Sequence, residues 1–215
     1  PIMFNIELTG YQARAHCQNT MKRKLLHLLY TLSPALLLPL AACSQGTAEA
    51  TKPVEFLGLV SSLPASWVEE QPTSSMRLAQ YRIPGSNADQ QAQLVLFYFG
   101  QGQGGTVEAN ITRWQSQFSN PQGGSVKADI SNMDANGMAA TVVELRGDYA
   151  RGTGMGPVGT ASPDQILLAS IVETPRGIVY ILLHGPAAVV STQRDAYLKF
   201  IGDIRPGPGD ENKGE

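Results

Sequence analysis

The stretch Gln165-Ile-Leu-Leu-Ala-Ser-Ile-Val-Glu-Thr-Pro-Arg-Gly-Ile-Val-Tyr-Ile-Leu-Leu-His184 decides the fold class. Two apolar runs, 165–173 and 177–184, flank Thr174-Pro-Arg-Gly177, where the proline is well placed to begin a turn. A short turn between two runs of strand length predicts a β-hairpin, and the two strands of a hairpin are antiparallel. The sheet of this protein is therefore predicted to be antiparallel.

The neighbouring sequence predicts more strands of the same kind and two helices. Asn-Gly within Asp134-Ala-Asn-Gly137 predicts a second hairpin. A first helix is predicted from the N-cap Thr106 to just before Pro121, with Val107, Ile111, Trp114 and Phe118 on its apolar face. A second helix is predicted from about Pro186 to Arg205. The strands are predicted at Trp67–Glu70, Met76–Ile83, Gln93–Phe99, Val126–Met133, Ala139–Tyr149, Gln165–Glu173 and Gly177–His184, with a short apolar segment at Phe56–Val60.

The order β-β-β-α-β-β-β-β-α contains hairpins rather than repeated βαβ units. It predicts an α+β domain in which an antiparallel sheet of six or seven strands is sandwiched by two helices. The domain is expected at 55–205. It is preceded by a polar tether at 43–54 and followed by a disordered tail at 206–215.

The N-terminal segment has the parts of a secretory signal. Translation is expected to start at Met21, with 1–20 as a doubtful leader, and 21–42 contain a basic start, an uncharged Leu-rich run and small residues. Leu40-Ala41-Ala42-Cys43 resembles the lipobox of bacterial lipoproteins. The resemblance implies that the Cys43 thiol takes a diacylglyceryl group, with palmitate-type chains, and becomes the new N-terminus. Ser44 in the next position implies the periplasmic face of the outer membrane rather than the inner membrane. An ordinary signal peptide with a chance cysteine is the alternative.

The charge and the cysteine and histidine content of the chain argue against several classes of function. After residue 42 the chain has 12 Lys and Arg against 17 Asp and Glu, a net charge of −5, which argues against nucleic acid as a partner. Because Cys43 is the only cysteine there, no internal disulfide is expected. With His184 as the only histidine after residue 42, neither a metal site nor a cofactor is predicted, and a structural role for His184 is favoured over a catalytic one.

Glycine clusters offer two weaker candidate sites. Gly100-x-Gly102-x-x-Gly105 precedes a helix, but the following strand alternates, unlike a strand of a parallel sheet, so dinucleotide binding is disfavoured. No Gly-Lys-Ser/Thr follows, which excludes a Walker loop. A turn is favoured, and an anion site at the helix start is the alternative, which would use Gly100, Gly102, Gly104, Gly105 and Thr106. The second cluster, 151–159, is a candidate partner loop through Met155 and Val158.

A strand leading into Leu183-His-Gly-Pro-Ala-Ala-Val-Val190, together with a closing helix at Arg194–Ile204, resembles the fold shared by the photosystem subunit PsbP and a small Ran-binding factor. Trp67, Ser75–Ala79 and Phe97–Trp114 are similar to an uncharacterised group of bacterial lipoproteins. The resemblance implies a non-enzymatic, lipid-anchored binding or scaffold protein with a protein partner in the cell envelope. The alternatives are a hydrolase or transferase with an unrecognised site, and a receptor for a small anionic ligand at Gly100–Gly105.

Overall fold

The computed structural model describes residues 49–150 and 160–208, which contain eleven strands and two helices. In chain order they are β1 (Thr51–Phe56), β2 (Leu59–Pro64), β3 (Val68–Glu70), β4 (Arg77–Ile83), β5 (Ala92–Tyr98), α1 (Val107–Gln115), β6 (Phe118–Ser119), β7 (Asp129–Ala135), β8 (Met138–Tyr149), β9 (Ser162–Thr174), β10 (Gly177–Pro186), α2 (Ala187–Gly202) and β11 (Arg205–Pro206).

The strands form two sheets. The main sheet has the order β3-β4-β5-β10-β9-β8-β6, with β7 also paired to β8, and the small sheet has the order β1-β2-β11. All of these pairings are antiparallel. The predicted α+β class with an antiparallel sheet is confirmed, with eight strands in the main sheet rather than six or seven.

The two helices pack on opposite faces of the main sheet, as predicted. Successive residues of a strand point to opposite faces, and β9 shows this directly. Its Leu168 belongs to the same apolar cluster as Tyr197 and Phe200 of α2. The next residue, Leu167, belongs to the cluster that contains Trp114 of α1. Each face therefore has its own core.

Both predicted hairpins are confirmed. The β9–β10 turn joins Thr174 to Gly177, and the β7–β8 turn joins Ala135 to Met138. Asn136 and Gly137 have φ of 52° and 88°, as a two-residue turn with two left-handed positions requires. The Asn136 Nδ2 also donates to the carbonyls of Gly202 (2.9 Å) and Ile204 (2.8 Å), so this hairpin tip fastens the end of α2.

Helix α1 is shorter than predicted, because it ends at Gln115 rather than just before Pro121. The Gln117 N–H donates to the Trp114 carbonyl at 3.1 Å, a tight turn that closes the helix. Phe118 therefore lies in β6, paired with Tyr149, although it is still buried in the cluster beneath α1.

The ends of the domain also differ from the prediction. Residues 51–54, predicted as part of the tether, form most of β1, and the apolar segment at 56–60 is a turn into β2. Helix α2 ends at Gly202 rather than at Arg205, and Arg205 and Pro206 instead pair with β2 as β11. An edge strand of this kind can contain a proline. In the ranges 49–150 and 160–208, neither helix has the length and hydropathy of a membrane span.

A groove beside helix α1 as the candidate functional site

The glycine loop before α1 is built as a turn. Gly100, Gly102, Gly104 and Gly105 all have positive φ, from 69° to 105°. Thr106 is the N-cap, and its Oγ1 accepts a hydrogen bond from the Ala109 N–H at 3.2 Å. The loop therefore needs glycines for its backbone conformation.

The carbonyl groups of this loop are held from inside the domain. Buried Asn110 donates through Nδ2 to the carbonyls of Gly104 and Thr106, both at 2.8 Å. The Tyr180 hydroxyl donates to the Gly105 carbonyl at 3.3 Å, and burial raises the pKa of Tyr180, which keeps that hydroxyl protonated. These contacts give the loop a structural role, and anion binding at its helix start stays a prediction.

The face of the main sheet that carries α1 is only partly covered. The seven strands of its path are separated by roughly 4.8 Å, so they span about 29 Å. Helix α1 has nine residues, which makes it about 14 Å long and about 10 Å across. It packs over the β8 side of the sheet. Within the described residues, neither helix lies over the same face of β3, β4 and β5.

Strand register places a row of side chains on this open face. In β5 the alternating residues Gln93, Val95 and Phe97 share the face, as do Leu182 and His184 of β10, because Val95 pairs with Leu182 and Gln93 with His184. The apolar members form a floor, and the polar members project from it.

Two cavities follow this row and share Gln93 and His184. We call them together the β5 groove. The smaller cavity, of about 110 Å³, is lined by Arg77, Gln93, Val95, Phe97, Gln117, Tyr149, Leu167, Leu182 and His184. The larger one, of about 370 Å³, is lined by Glu70, Arg82, Gln91, Ala92, Gln93, Gln165, His184 and Gly185. An apolar floor with a few convergent polar groups is typical of a ligand site.

A polar chain forms the wall of the groove nearest the sheet edge. Arg77 donates from Nη1 to Gln80 Oε1 at 2.5 Å, and buried Gln80 donates from Nε2 to Glu70 Oε2 at 3.0 Å. Glu70 Oε1 lies 3.1 Å from Arg82 Nε in an ion pair. The Arg77 guanidinium also lies over the Phe97 ring, 5.4 Å from its centroid. These contacts fix the position of a cation at one end of the groove.

His184 lies at the junction of the two cavities, within an aromatic group. Its ring centroid is 4.1 Å from that of Tyr149 and 6.3 Å from that of Phe118, to which it is nearly perpendicular. Among the described residues that line the β5 groove there is no serine, threonine or cysteine. The arrangement is suited to binding, with His184 packed as part of a wall.

A wider cavity, of about 660 Å³, lies elsewhere, between the start of β9 and the loop after β6. Its ion pair, Arg146 with Asp164 at 3.0 Å, has side chains that are 60% and 67% exposed. Exposed ion pairs of this kind contribute little to binding or stability, so we regard this cavity as the weaker candidate.

Several predicted site residues lie outside the described ranges. These are the lipidation site Cys43 and the partner-loop residues Met155 and Val158. Within 49–150 and 160–208, no group of three or more His, Cys, Asp or Glu is arranged to hold a metal ion. Sequence reasoning did not single out Arg77, Gln93 or Gln117. The polar residue at the start of the otherwise apolar run Gln93–Phe99 was the one available signal.

No protein-family model matches the chain. No curated protein matches it in sequence. Solved structures similar to it include cyanobacterial PsbP (CyanoP) from Synechocystis sp. PCC 6803, with 13% identity over 78% of this chain and 99% of that one, at a TM-score of 0.47. The Ran-binding protein Mog1p of Saccharomyces cerevisiae has 8% identity over 74% of this chain and 96% of that one, at 0.46. LpqN of Mycobacterium tuberculosis, a protein involved in cell envelope biogenesis, has 15% identity over 74% of this chain and 91% of that one, at a TM-score of 0.42. These likenesses concern the arrangement of the chain alone, and the fold class rests on the strand register described above.

Proposed function

We propose that this chain is a non-enzymatic binding protein of the bacterial cell envelope, anchored by lipid on Cys43, and that the β5 groove is its binding surface. The observation that carries the proposal is the β5 groove itself, where the half-buried apolar side chains Phe97 and Leu182 lie between polar walls. Covering their exposed parts with a partner is favourable by roughly 25 cal/mol for each Å² removed from water.

The lipobox at Leu40–Cys43 supports the anchoring part of the proposal. Acyl chains bind a membrane with about 0.8 kcal/mol for each buried CH₂, so a cysteine with more than one chain stays attached. The function is then localisation: the lipid holds the domain at the outer membrane, on its periplasmic face, and the groove captures a protein partner there.

The side chains around the groove support binding rather than catalysis. A hydrolytic site needs a nucleophile next to an oriented base. The imidazole of His184 instead packs against the Tyr149 ring at an interplanar angle of 49°, and the described lining residues include no hydroxyl of serine or threonine and no thiol.

Photo-crosslinking in the native bacterium tests the proposal. A photoreactive amino acid is placed at Gln93 or Gln117 in the groove, or at exposed Asp195 of α2 on the opposite face as the control. We expect one reproducible envelope protein to be crosslinked from the groove positions and not from Asp195. Equal crosslinking from all three positions, or none from the groove, would contradict a binding role for the groove.

The anchor is tested separately by mass spectrometry of the N-terminal peptide and by membrane fractionation. We expect an acylated Cys43 in the outer-membrane fraction and loss of membrane attachment in Cys43→Ser. An unmodified cysteine in the native protein would refute the anchor while leaving the groove untouched.

A further inference from the structure

We propose that the free edge of β7 (Asp129–Ala135) binds an extended, basic segment of another protein by strand addition, so that the main sheet gains one strand. This inference goes beyond the proposed function, because β10, β9 and β8 separate this edge from the β5 groove. It follows from the pairing of β7, from its length and composition, and from the charge of the hairpin to which it belongs.

The pairing of β7 leaves one of its edges open. Strand β7 pairs with β8, and no other described strand pairs with it. Because the β7–β8 turn has two residues, Ala135 and Met138 beside it form a hydrogen-bonded pair, and pairs with and without hydrogen bonds then alternate along the ladder. In the pairs without hydrogen bonds, the backbone N–H and C=O groups of β7 point away from β8. These positions are Ile130, Asn132 and Asp134.

Strand β7 lacks the features that block the other sheet edges. It has seven residues and no proline, so at about 3.4 Å per residue it presents an edge of about 24 Å. Strand β3 at the other end of the main sheet has three residues, β6 and β11 have two each, and β1 contains Pro53. Short strands and prolines are common means of blocking an edge. Of the described edge strands, β7 is therefore the best suited to pair with a partner along its length.

An apolar side chain of β7 lies exposed beside the open edge. Ile130 is 49% exposed, although Val143 opposite it on β8 is 0% exposed. In a sheet, such a side chain is covered when the next strand places its own side chain beside it. An added strand with Val or Ile opposite Ile130 therefore buries apolar surface that the domain leaves in water.

The charge of the hairpin favours a basic partner strand. Residues 129–144 contain Asp129, Asp134 and Glu144 and no lysine or arginine. Glu144 forms an ion pair with Arg194 at 3.2 Å. Asp129 and Asp134 are exposed, and neither forms an ion pair with another described residue. Because opposite charges on neighbouring strands attract, Lys or Arg is favoured opposite each aspartate.

The same charges disfavour a second copy of this chain as the occupant. When two β7 strands pair antiparallel about Asn132, Asp134 of each lies opposite Ile130 of the other, and the two aspartates of each strand share one ladder. A carboxylate opposite an apolar side chain loses water without gaining a partner. Lys127, the nearest cation in the sequence, lies outside the ladder. The occupant is therefore a different polypeptide.

Hexapeptides of defined sequence test this inference on the full chain in mild detergent. Fluorescein-labelled Lys-Val-Thr-Thr-Val-Lys, capped at both ends, places Lys opposite Asp134 and Asp129 and Val opposite Ile130 when it pairs antiparallel with β7. Binding is followed by fluorescence anisotropy. We expect this peptide to bind roughly tenfold more tightly than Glu-Val-Thr-Thr-Val-Glu. Equal affinities, or no binding by either peptide, would overturn the proposal.

Methylation of the peptide backbone separates strand addition from simple charge attraction. In the antiparallel arrangement the third residue of the basic peptide points its N–H at β7, and the fourth points its N–H away. A methyl group on the third backbone nitrogen is therefore expected to abolish binding. A methyl group on the fourth nitrogen is the matched control and is expected to preserve it. Equal effects of the two methyl groups would refute pairing with the edge.

Variants locate the binding on the protein. Asp134→Asn keeps an acceptor for the Gly137 N–H (3.0 Å) but removes the charge, so it is expected to weaken binding of the basic peptide about threefold. Asp89→Asn removes an exposed charge between β4 and β5 and is expected to leave binding unchanged. Asn132→Pro removes an outward N–H without breaking a bond to β8, and is expected to abolish binding. Equal binding by all three variants would refute contact with β7.

Hydrogen exchange of the unmodified chain is a second measurement that needs no variant. The basic peptide is expected to slow exchange at the amides of Ile130, Asn132 and Asp134. The amides of Ser131 and Met133 already bond to β8 and are expected to change little. Unchanged exchange at the three outward amides would refute occupation of the edge.

Sedimentation of the chain without peptide tests the other occupant. We expect one chain in each particle. A dimer that Asn132→Pro disrupts would show that a second copy occupies the edge, and would overturn the proposal. Failure of any of these tests leaves the β5 groove untouched, because crosslinking from Gln93 and Gln117 does not involve β7.

Discussion

Replacing Gly104 by alanine tests whether the glycine loop is built for the fold. Gly104 has φ of 101°, and an added Cβ would lie 2.5 Å from the Tyr180 Oη and 2.7 Å from its Cε2. Gly102 in the same loop has φ of 69°, and nothing lies within 4 Å of its added Cβ. Alanine at either position therefore has an unfavourable backbone conformation, and only alanine at 104 also clashes with a side chain.

The expected losses of stability follow from the backbone strain and from the steric clash. A residue with a Cβ in left-handed backbone costs roughly 1–2 kcal/mol, so Gly102→Ala is expected to lower the free energy of unfolding by about that amount. Forcing a methyl group against a packed side chain costs a further 1–3 kcal/mol or so. Gly104→Ala is therefore expected to lose about 2–5 kcal/mol. Since Tyr180 is 1% exposed, its ring has little room to move away.

Urea unfolding followed by tryptophan fluorescence measures both variants, because Trp67 and Trp114 are 0% and 2% exposed and report on the two faces of the sheet. Equal midpoints for Gly102→Ala and Gly104→Ala would refute the packing argument. If Gly102→Ala instead abolished binding of an inorganic anion such as phosphate without loss of stability, the predicted anion site at the loop would gain support.

Three further predictions concern the α2 side of the main sheet. Tyr197→Phe leaves buried Ser170 Oγ (2.7 Å) and the Ile181 carbonyl (2.8 Å) without their partner, so the free energy of unfolding is expected to fall by about 1–3 kcal/mol. The double variant with Ser170→Ala is expected to lose less stability than the sum of the two single variants. Burial raises the pKa of Tyr81 to about 12 from 10.0, so its contribution to stability is complete below pH 10 and is lost as the pH rises towards 12. The urea midpoint should fall over that range, and Tyr81→Phe should flatten the fall. Asn136→Gly keeps the turn but removes both bonds to the end of α2, for an expected loss of about 1–2 kcal/mol.

Each of these has a result that would contradict it. Additive losses in the Tyr197–Ser170 cycle would show that the hydroxyl groups are not coupled. A midpoint independent of pH between 10 and 12 would contradict the burial of the Tyr81 phenol. An Asn136→Gly variant as stable as the unmodified chain would show that the bonds to α2 contribute nothing.

The hairpins and the helix caps were predictable because their signals are local. Asn136-Gly137 and Pro175 with Gly177 encode turns within a few residues, and the turn then fixes the register of both flanking strands. Thr106 as N-cap is equally local, since its bond to the Ala109 N–H depends on backbone only three residues away.

The predictions that were wrong concern segments whose structure depends on pairing with residues far away in the sequence. Residues 51–54 follow a polar stretch of small residues and are predicted as part of the tether, but they form a strand because β2 supplies partners from Val54↔Ser61 to Thr51↔Pro64. Arg205 and Pro206 become β11 only because the edge of β2 lies beside them at Val60 and Leu59. Phe118 has helical spacing from Trp114, and both a longer helix and a β6 strand bury it, so the pattern alone could not separate them.

The β5 groove was not predictable because it arises from incomplete coverage. The run Gln93–Phe99 has the composition of a strand buried on both faces, and the interpretation holds for the face that packs against α2, where Leu94 and Leu96 are 0% exposed. On the other face Val95 is also buried, at 5% exposed, but Gln93 and Phe97 are only half-buried, because among the described residues α1 packs over the β8 side of the sheet. Arg77 lies on that face because of a register shift, and the pattern of side chains in β4 does not predict this shift. A binding surface of this kind depends on the length of a helix and the register of a neighbouring strand, so it becomes visible only when both are known.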